Sequence, residues 1–294
     1  MKVTNEIDKR IGLSVGRWSP RTYVETFHWH TELEIGYCYA GKGRFYFGDK
    51  AFDAEPGDVF VVNNLERHIA QSDERDPSRY YFVYFDSGLL LKEEKELLHP
   101  FLYHPAAFTN RIPGSHEAAA EIGQLVEKLW REQEAKETGY PSAMKGVLLQ
   151  ICALLCRYYG DGIRKRDGRR AYLLYEKMQP VLSLMKARFR EDLQLEDIAA
   201  LMRLSPSRAA HVFAETVGEG FKAHLLQLRV NEAKRLLAET ELAVIEVCLR
   251  SGFQSTTPFY RAFRQIVGLT PQEYRDMTAS ISSAHLERRH TAIE

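Results

Sequence analysis

Cysteine is scarce in this chain, with four in 294 residues. Cys38, Cys152, Cys156 and Cys248 stand apart without a paired framework. That excludes a disulfide-stapled scaffold and fits reduced thiols in a cytoplasmic protein. Cys152 and Cys156, one helical turn apart in an apolar segment, read as core packing or as a redox or metal pair. No apolar run reaches the ~18 residues of a membrane span. The opening MKVTNEIDKRIGLSV lacks the long apolar stretch of a secretory leader. A cytoplasmic protein with no membrane partner is expected. Net charge is missing too, with 40 Lys+Arg against 40 Asp+Glu. Residues 1–176 carry 24 cations and 26 anions (−2), and residues 177–294 carry 16 and 14 (+2). Any affinity for nucleic acid must therefore come from cations gathered on one face.

Hydrophobic residues make up 45% of the chain and charged residues 27%, which is an ordinary globular balance. The length suits two domains with a connector. From residue 7 to about 86 the sequence reads as strands. FHWHTELEIGYCYAGKGRFYFGDKAFDAEPGDVFVVNN is rich in aromatic and β-branched residues, with turns at Gly41-Lys42-Gly43, Gly48-Asp49 and Glu55-Pro56-Gly57-Asp58. Such spacing predicts a sandwich or small barrel, with YYFVYFD as a late strand after the loop DERDPSR. The period then becomes helical. Ile122, Leu125, Val126 and Leu129 mark one helix, and SAMKGVLLQICALLCRYYG marks a second, joined to it at Thr138-Gly139-Tyr140-Pro141. This apolar hairpin packs on the strands, forms a dimer interface, or does both. DGIRKRDGRR reads as a linker by composition, with a charge that suits either a solvated hinge or a phosphate backbone. Helical periodicity runs on to about residue 277, and a polar tail follows.

Within that helical stretch one small unit occurs twice. LSPSRAAHVFAETVG and FQSTTPFYRAFRQIVG each place a cap, a short helix, a phenylalanine and a stop at Val-Gly. Phe213 and Phe263 are fifty residues apart, as are Gly218 and Gly268. Leu195, Ile198, Ala199 and Met202 form the inner side of a helix before the first unit. Val244, Val247 and Cys248 do so before the second, with Gly252 in its turn. Ser205 followed by Pro206 is a strong helix start, and Ser255 or Thr257 caps the second copy. FKAHLLQLRVNEAKRLLAET joins the copies as one amphipathic helix, with Leu225, Leu228, Ala233, Leu236 and Leu237 on a stripe. Two short helices at a sharp angle make a helix-turn-helix. A pair held about one DNA turn apart, ~34 Å, could enter successive major grooves on one face.

These residues resemble the DNA-binding domain of the AraC/XylS family of bacterial transcription regulators. The resemblance rests on LSPSR with Val212-Phe213, on Arg229, Ala233, Leu236 and Leu237, on Gly252-Phe253, on FYRAFR and on VGLTPQEYR. It covers about a third of the chain. By position, it implies base-facing roles for Ser207, Ala210 and His211 in the first reading helix. In the second it implies Thr256, Thr257, Pro258, Tyr260 and Arg261. Arg261 suits a bidentate contact to guanine or a phosphate contact, and the threonines suit a thymine methyl or a hydrogen bond. Arg208, Lys222 and Arg264 suit phosphate positioning or plain solvation. The chain departs from the family at Ala209, where leucine is usual, and at Cys248, where alanine is usual. Looser packing of the first unit is expected.

In the strand region, His28, His30 and Glu34 precede Gly41, and His68 follows Gly57. His-x-His puts two imidazoles on one face of a strand, and Glu34 with His68 would complete a three-nitrogen, one-oxygen metal site. The spacing resembles the cupin barrel, with Asn63 and Leu65 where proline and glycine are common there. The AraC family often carries such a barrel as its sensory half, in many members without evident metal. Three readings stay open: an effector pocket, a divalent metal site, or structural remnants. Trp29, Tyr37, Tyr39 and Tyr46 add aromatic surface for a sugar ring if their strands face inward, with aromatic core packing as the other and more ordinary role for each.

The fold expected is α+β multidomain. It comprises a cupin-like β-barrel over 1–110, a helical connector and possible dimerisation hairpin over 111–175, an all-α domain with two helix-turn-helix units over 176–278, and a tail over 279–294. The function expected is a ligand-responsive transcription regulator that binds double-stranded DNA and a small-molecule effector, such as a sugar, and forms a homodimer. Activation, with RNA polymerase as partner, is the family's commoner habit. No catalytic residue stands out beyond the metal-type side chains. That leaves a metal-dependent cupin oxygenase or isomerase fused to a DNA-binding module, and a regulator without an effector, as the alternatives. No cofactor is expected beyond a possible divalent metal in the barrel.

Overall fold

A computed structural model describes residues 7–8, 10–22, 27–28, 30, 32–63, 66–102, 108–160 and 165–279, the side chains of 165–171 excepted. The chain divides into two units, Met1–Glu176 and Lys177–Glu294. Among the described residues no helix is long and apolar enough to cross a membrane.

The first unit holds β1 (Leu13–Trp18), β2 (Leu33–Ala40), β3 (Gly43–Phe47), β4 (Lys50–Ala54), β5 (Val59–Val62), β6 (His68–Ser72), β7 (Arg79–Phe85) and β8 (Arg111–Ile112). They pair antiparallel into two sheets, β1-β7-β2-β5-β8 and β4-β3-β6. This is a two-sheet sandwich, one of the two forms the strand spacing predicts, and among the described residues no ladder joins the sheets into a closed barrel. The edge strand β8 has two residues and closes no ladder to the second sheet. Strand period sorts the side chains. Tyr80, Phe82 and Tyr84 of β7 face the smaller sheet and share a core with Cys38, Phe45, Phe47, Phe60, Val62 and Ala70. Tyr81, Val83 and Phe85 face the other way. At Gly41, φ is +71° and a Cβ would fall 2.1 Å from the Pro77 carbonyl oxygen, so the turn into β3 admits only glycine.

The outer face is covered by helices. Two short ones, α1 (Gly88–Leu91) and α2 (His99–Leu102), precede the hairpin α3 (Glu117–Ala135) and α4 (Tyr140–Gly160). Ile122, Val126 and Leu129 of α3 join Met144, Val147, Leu148, Ile151 and Leu155 of α4 in one core with Leu13, Ile35, Val59, Val61 and Val83. The hairpin's apolar stripes are thus spent on the sheet. Cys152 lies in this core, where burial pushes its thiol well up, so it packs and is inert. The expected linker is helical from Lys165, where α5 (Lys165–Arg188) begins. Lys and Arg are good helix formers, and one Gly168 costs only ~1 kcal/mol. Residues 161–164 lie outside the described residues.

From residue 177 the described residues of the second unit form helices and the turns between them, with α6 (Leu195–Met202), α7 (Pro206–Val217), α8 (Phe221–Glu239), α9 (Val244–Arg250), α10 (Thr256–Val267) and a last stretch over 271–279. The duplication extends to backbone hydrogen bonds. Asp197 accepts from the Gln194 N–H at 2.8 Å to start α6, and Glu246 accepts from Ala243 at 3.3 Å to start α9. Leu204 N–H returns to Ala199 O at 3.1 Å, and Phe253 N–H to Cys248 O at 3.2 Å. Gly218 and Gly268 end α7 and α10 in left-handed geometry, at φ +83° and +82°. One cap differs. The Ser205 hydroxyl accepts from Arg208 N–H, whereas Ser255 holds the same position without a side-chain bond, and Thr257 lies inside α10.

Candidate nucleic-acid interface and effector site

In each helix-turn-helix the second helix is held by its inner side. Phe213 of α7 is fully buried, with its ring 6.1 Å from Phe221 and 5.5 Å from His224 of α8. Phe259 and Phe263 of α10 are fully buried against Val230, Ala233, Leu236 and Leu237 of α8. That leaves the opposite faces to solvent. Ser207, Arg208 and His211 of α7 are exposed and Ala210 is half-buried. Thr257, Tyr260, Arg261 and Arg264 of α10 are exposed, with Thr256 and Pro258 half-buried. Each helix therefore presents hydroxyls and at least one cation or imidazole, the groups that hydrogen-bond base edges and phosphates. Lys222, at the start of α8, is exposed as well. With 19 residues α8 is ~28 Å long, so helices seated on its two ends can be spaced near the pitch of DNA. Ala209 is fully buried on α7's inner side, and Cys248 donates its thiol to Ser255 O at 3.4 Å.

The four strand-region residues meet in the first unit. His28 lies in no named strand. It joins β6 through two backbone bonds to His68, at 3.1 and 2.9 Å. The side-chain nitrogens of His28, His30 and His68 lie within 4.8 Å of one another. Glu34, 1% exposed on β2, sends Oε2 to 2.6 Å from His30 Nε2 and 3.3 Å from His68 Nε2. His30 Nδ1 is 2.8 Å from Glu32 O, and His68 Nδ1 is 2.8 Å from Glu66 O. Those bonds engage both Nδ1 atoms and turn both Nε2 atoms toward the cluster centre, where His30 Nε2 donates to the Glu34 carboxylate. His68 Nε2 is buried without a hydrogen-bond partner among the described residues, and lies 3.3 Å from Glu34 Oε2. Convergent imidazoles with their Nδ1 atoms held by backbone carbonyls, and an orphaned nitrogen, fit a divalent transition metal. An ion with Zn–N distances near ~2.0–2.1 Å would draw the nitrogens to ~3.4 Å apart.

Electrostatics tie the cluster together. Burial opposes a charge on His30, but the hydrogen bond and negative charge of Glu34 outweigh it and raise its pKa above 6.5. Burial alone would raise the Glu34 carboxyl. The charge of His68 and the bond to His30 overcome that and hold it well below 4.5. Glu66, whose carbonyl orients His68, is itself fixed, with Asn110 donating to its Oε2 at 2.6 Å and Asn63 at 3.2 Å.

Tyr37, Tyr39 and Tyr46 do not face the histidines, and two of them take the core-packing role. Glu34, Gly36 and Cys38 point inward from β2, so Tyr37 and Tyr39 face the helices and pack on the outer core. Tyr46 alternates with inward Phe45 and Phe47 and bonds Gln71 outside at 3.0 Å. Trp29 and Leu65 lie outside the described residues. The aromatics at the histidines are Tyr84, its ring 5.6 Å from His30, with Phe45 and Phe47 at 6.2 and 6.4 Å from His68. The pairing of Glu34 with Tyr84 across β2 and β7 brings the tyrosine there, a register that the sequence alone does not display.

The His30–Glu34 pair predicts a pH signature. A raised His30 pKa contributes stability below pH 6.5 that is lost as pH climbs through the folded value. A depressed Glu34 pKa contributes stability above pH 4.5 that fades as pH falls. All three tryptophans (Trp18, Trp29 and Trp130) belong to the first unit, so their fluorescence follows its thermal unfolding. The midpoint should fall from pH 6 to 9 in the wild type and be flatter in Glu34→Gln; equal slopes would remove the pair from the account.

Comparison with known proteins agrees with this architecture. The AraC-like ligand binding domain matches residues 10–151, and a Helix-turn-helix domain matches residues 198–277. The HTH-type transcriptional regulator YdeC of Bacillus subtilis (strain 168) is 23% identical over 257 residues, which are 86% of each chain. An HTH-type regulator of Staphylococcus aureus is 23% identical over 88% of this chain but only 33% of its own length, so the chain spans about a third of that relative. Among solved structures, ToxT from Vibrio cholerae O395 superposes with a TM-score of 0.60 at 12% identity, covering 91% of this chain and 98% of ToxT. ToxT of strain SCE256, solved with an unsaturated fatty acid bound, gives 0.57 at 13%, covering 90% and 94%. Two matched domains in this order, over more than half of the residues and in a ToxT-like fold, show that the chain belongs to the AraC/XylS family: it is a DNA-binding helix-turn-helix transcription regulator with a ligand-binding domain.

Proposed function

We propose that this regulator reads a two-part operator with α7 and α10 and responds to a small polar molecule held by His28, His30, Glu34 and His68. One observation carries the DNA reading. Two helices with the same glycine stops are buried by phenylalanine on one side and offer Ser207, His211, Thr257 and Arg261 on the other. Imidazoles beside a carboxylate supply donors and acceptors together, which suits a hydroxyl-bearing ligand such as a sugar. A fatty acid, the ligand named for ToxT, would bring its carboxylate up against Glu34. A regulatory rather than enzymatic role follows the family. Activation through RNA polymerase rests on the same resemblance, a cytoplasmic setting on the scarce, unpaired cysteines, and a homodimer through the hairpin α3–α4 on its apolar sequence.

A second reading is favoured by the orphaned His68 nitrogen: the cluster holds a divalent metal, with His28, His30 and His68 as ligands and Glu34 as fourth. The ion would supply a Lewis-acid anchor for an oxygen-bearing effector. The protein's own part is to hold the imidazoles in the right tautomer and keep the carboxylate ionised.

Arg261→Ala should weaken binding to a genomically selected operator by ~1–3 kcal/mol and relax preference at one base. Equal weakening on every sequence, by gel shift, would restrict Arg261 to phosphate. His30→Ala should abolish the thermal shift given by an effector from a panel of sugars and organic acids while basal operator binding persists. Stoichiometric zinc in the wild type, lost in this variant, would select the metal reading; an unaltered shift would take His30 out of sensing.

A further inference from the structure

Between α5 and α6 the chain turns a corner at Phe189, Arg190 and Glu191, and two arginines clamp it from different directions. Arg229, in the middle of α8, donates Nε to Phe189 O and Nη2 to Glu191 O, both at 2.8 Å. Carbonyls leaving a helix end have no helical partner, so these two bonds answer a local need. The guanidinium also lies 5.9 Å from the centre of the Phe253 ring. Arg190 reaches the other way. Its Nε donates to Arg250 O at 3.0 Å, in the last turn of α9, and its Nη2 meets Glu232 Oε1 of α8 at 2.7 Å. Glu232 is held in turn by Arg235 at 2.9 Å.

The turn of the second helix-turn-helix presses on the same corner. At Gly252, φ is +91°, and a Cβ would fall 2.7 Å from Arg190 Cα, 3.0 Å from Phe189 O and 3.1 Å from Arg229 Nε. Two backbones meet there with no room for a side chain. Two residues beyond the corner, buried Leu193 leads into α6, the first helix of the other unit. One short segment is therefore shared by the entry to the first unit, the shared helix α8 and the turn that aims α10.

We propose that Arg229 and Arg190 are positioning residues for DNA reading. By fixing this corner they set the angle between α7 and α10, and so the half-site spacing the protein accepts. Neither need touch a base. Their loss should show in the tolerance for spacing rather than in the affinity of one helix for its own half-site.

The test uses the full chain and operator fragments with both half-sites at native spacing, with the spacing changed by one or two base pairs, and with one half-site alone. Affinity is read by fluorescence anisotropy. The wild type should lose at least ~10-fold when the spacing changes. Arg229→Met should flatten that dependence while the single half-site is held within about two-fold of wild type. Arg229→Lys, which keeps the charge but not the two-pronged geometry, should fall between. Should Arg229→Met fail to fold by circular dichroism, the exposed Arg190→Met serves the same purpose. A uniform loss with the wild-type spacing dependence intact would overturn the positioning role. A wild type indifferent to spacing would overturn it through the twin-helix reading beneath it, a failure the wild-type fragments reveal before any variant is made.

Discussion

Phe213 and Phe263 bury their rings against opposite stretches of α8, and the DNA-binding half depends on that shared burial. A buried phenylalanine is worth ~1.5–3 kcal/mol of transfer free energy, and cutting it to alanine costs ~3–5 kcal/mol once the cavity is counted. Such anchoring lets a twelve-residue helix present an outward face of hydroxyls, an imidazole and arginines without support from that face. Because both anchors sit on one helix, the two faces cannot drift independently. The corner at Phe189–Glu191 and its arginines add the rotational constraint that a single tether lacks.

In the sensory unit the governing term is the cost of a buried carboxylate. Glu34 is stable in the sandwich because two imidazoles face it, and they face it because their Nδ1 protons are committed to backbone carbonyls. The arrangement is satisfied at His30 and unfinished at His68. An entering ligand or ion can complete the second without first dismantling the sheets, while competing with Glu34 for the first. Under the proposed function, binding there would exchange an internal hydrogen bond for an external one, the kind of differential interaction a switch requires.

What could be read in advance follows from how local each signal is. Ser205-Pro206, Gly218, Gly268 and the paired phenylalanines act within a turn or two of their own backbone, so the duplicated unit was visible without coordinates. The strands of the first unit were visible too, as a sandwich or small barrel, but the choice between those two was not. Whether eight strands form one barrel or two sheets depends on edges, and a two-residue β8 leaves little mark in the sequence. Which face Tyr37, Tyr39 and Tyr46 take was left open by the sequence and is settled by parity: each lies an odd number of residues from a neighbour that points inward, Glu34 or Phe45. The Arg229 and Arg190 clamp was hidden because its acceptors are main-chain carbonyls some forty to sixty residues away, which no side-chain pattern records. Lys165–Arg170 misled in the opposite way, since a cationic, glycine-bearing composition suits a solvated helix as well as a linker.

Hydroxyl-radical footprinting on a selected operator tests the central claim most directly. Two short protected patches per protomer on one side of the duplex, about 10–10.5 base pairs from centre to centre, are predicted. A single patch per protomer, or two on opposite sides, would contradict the account.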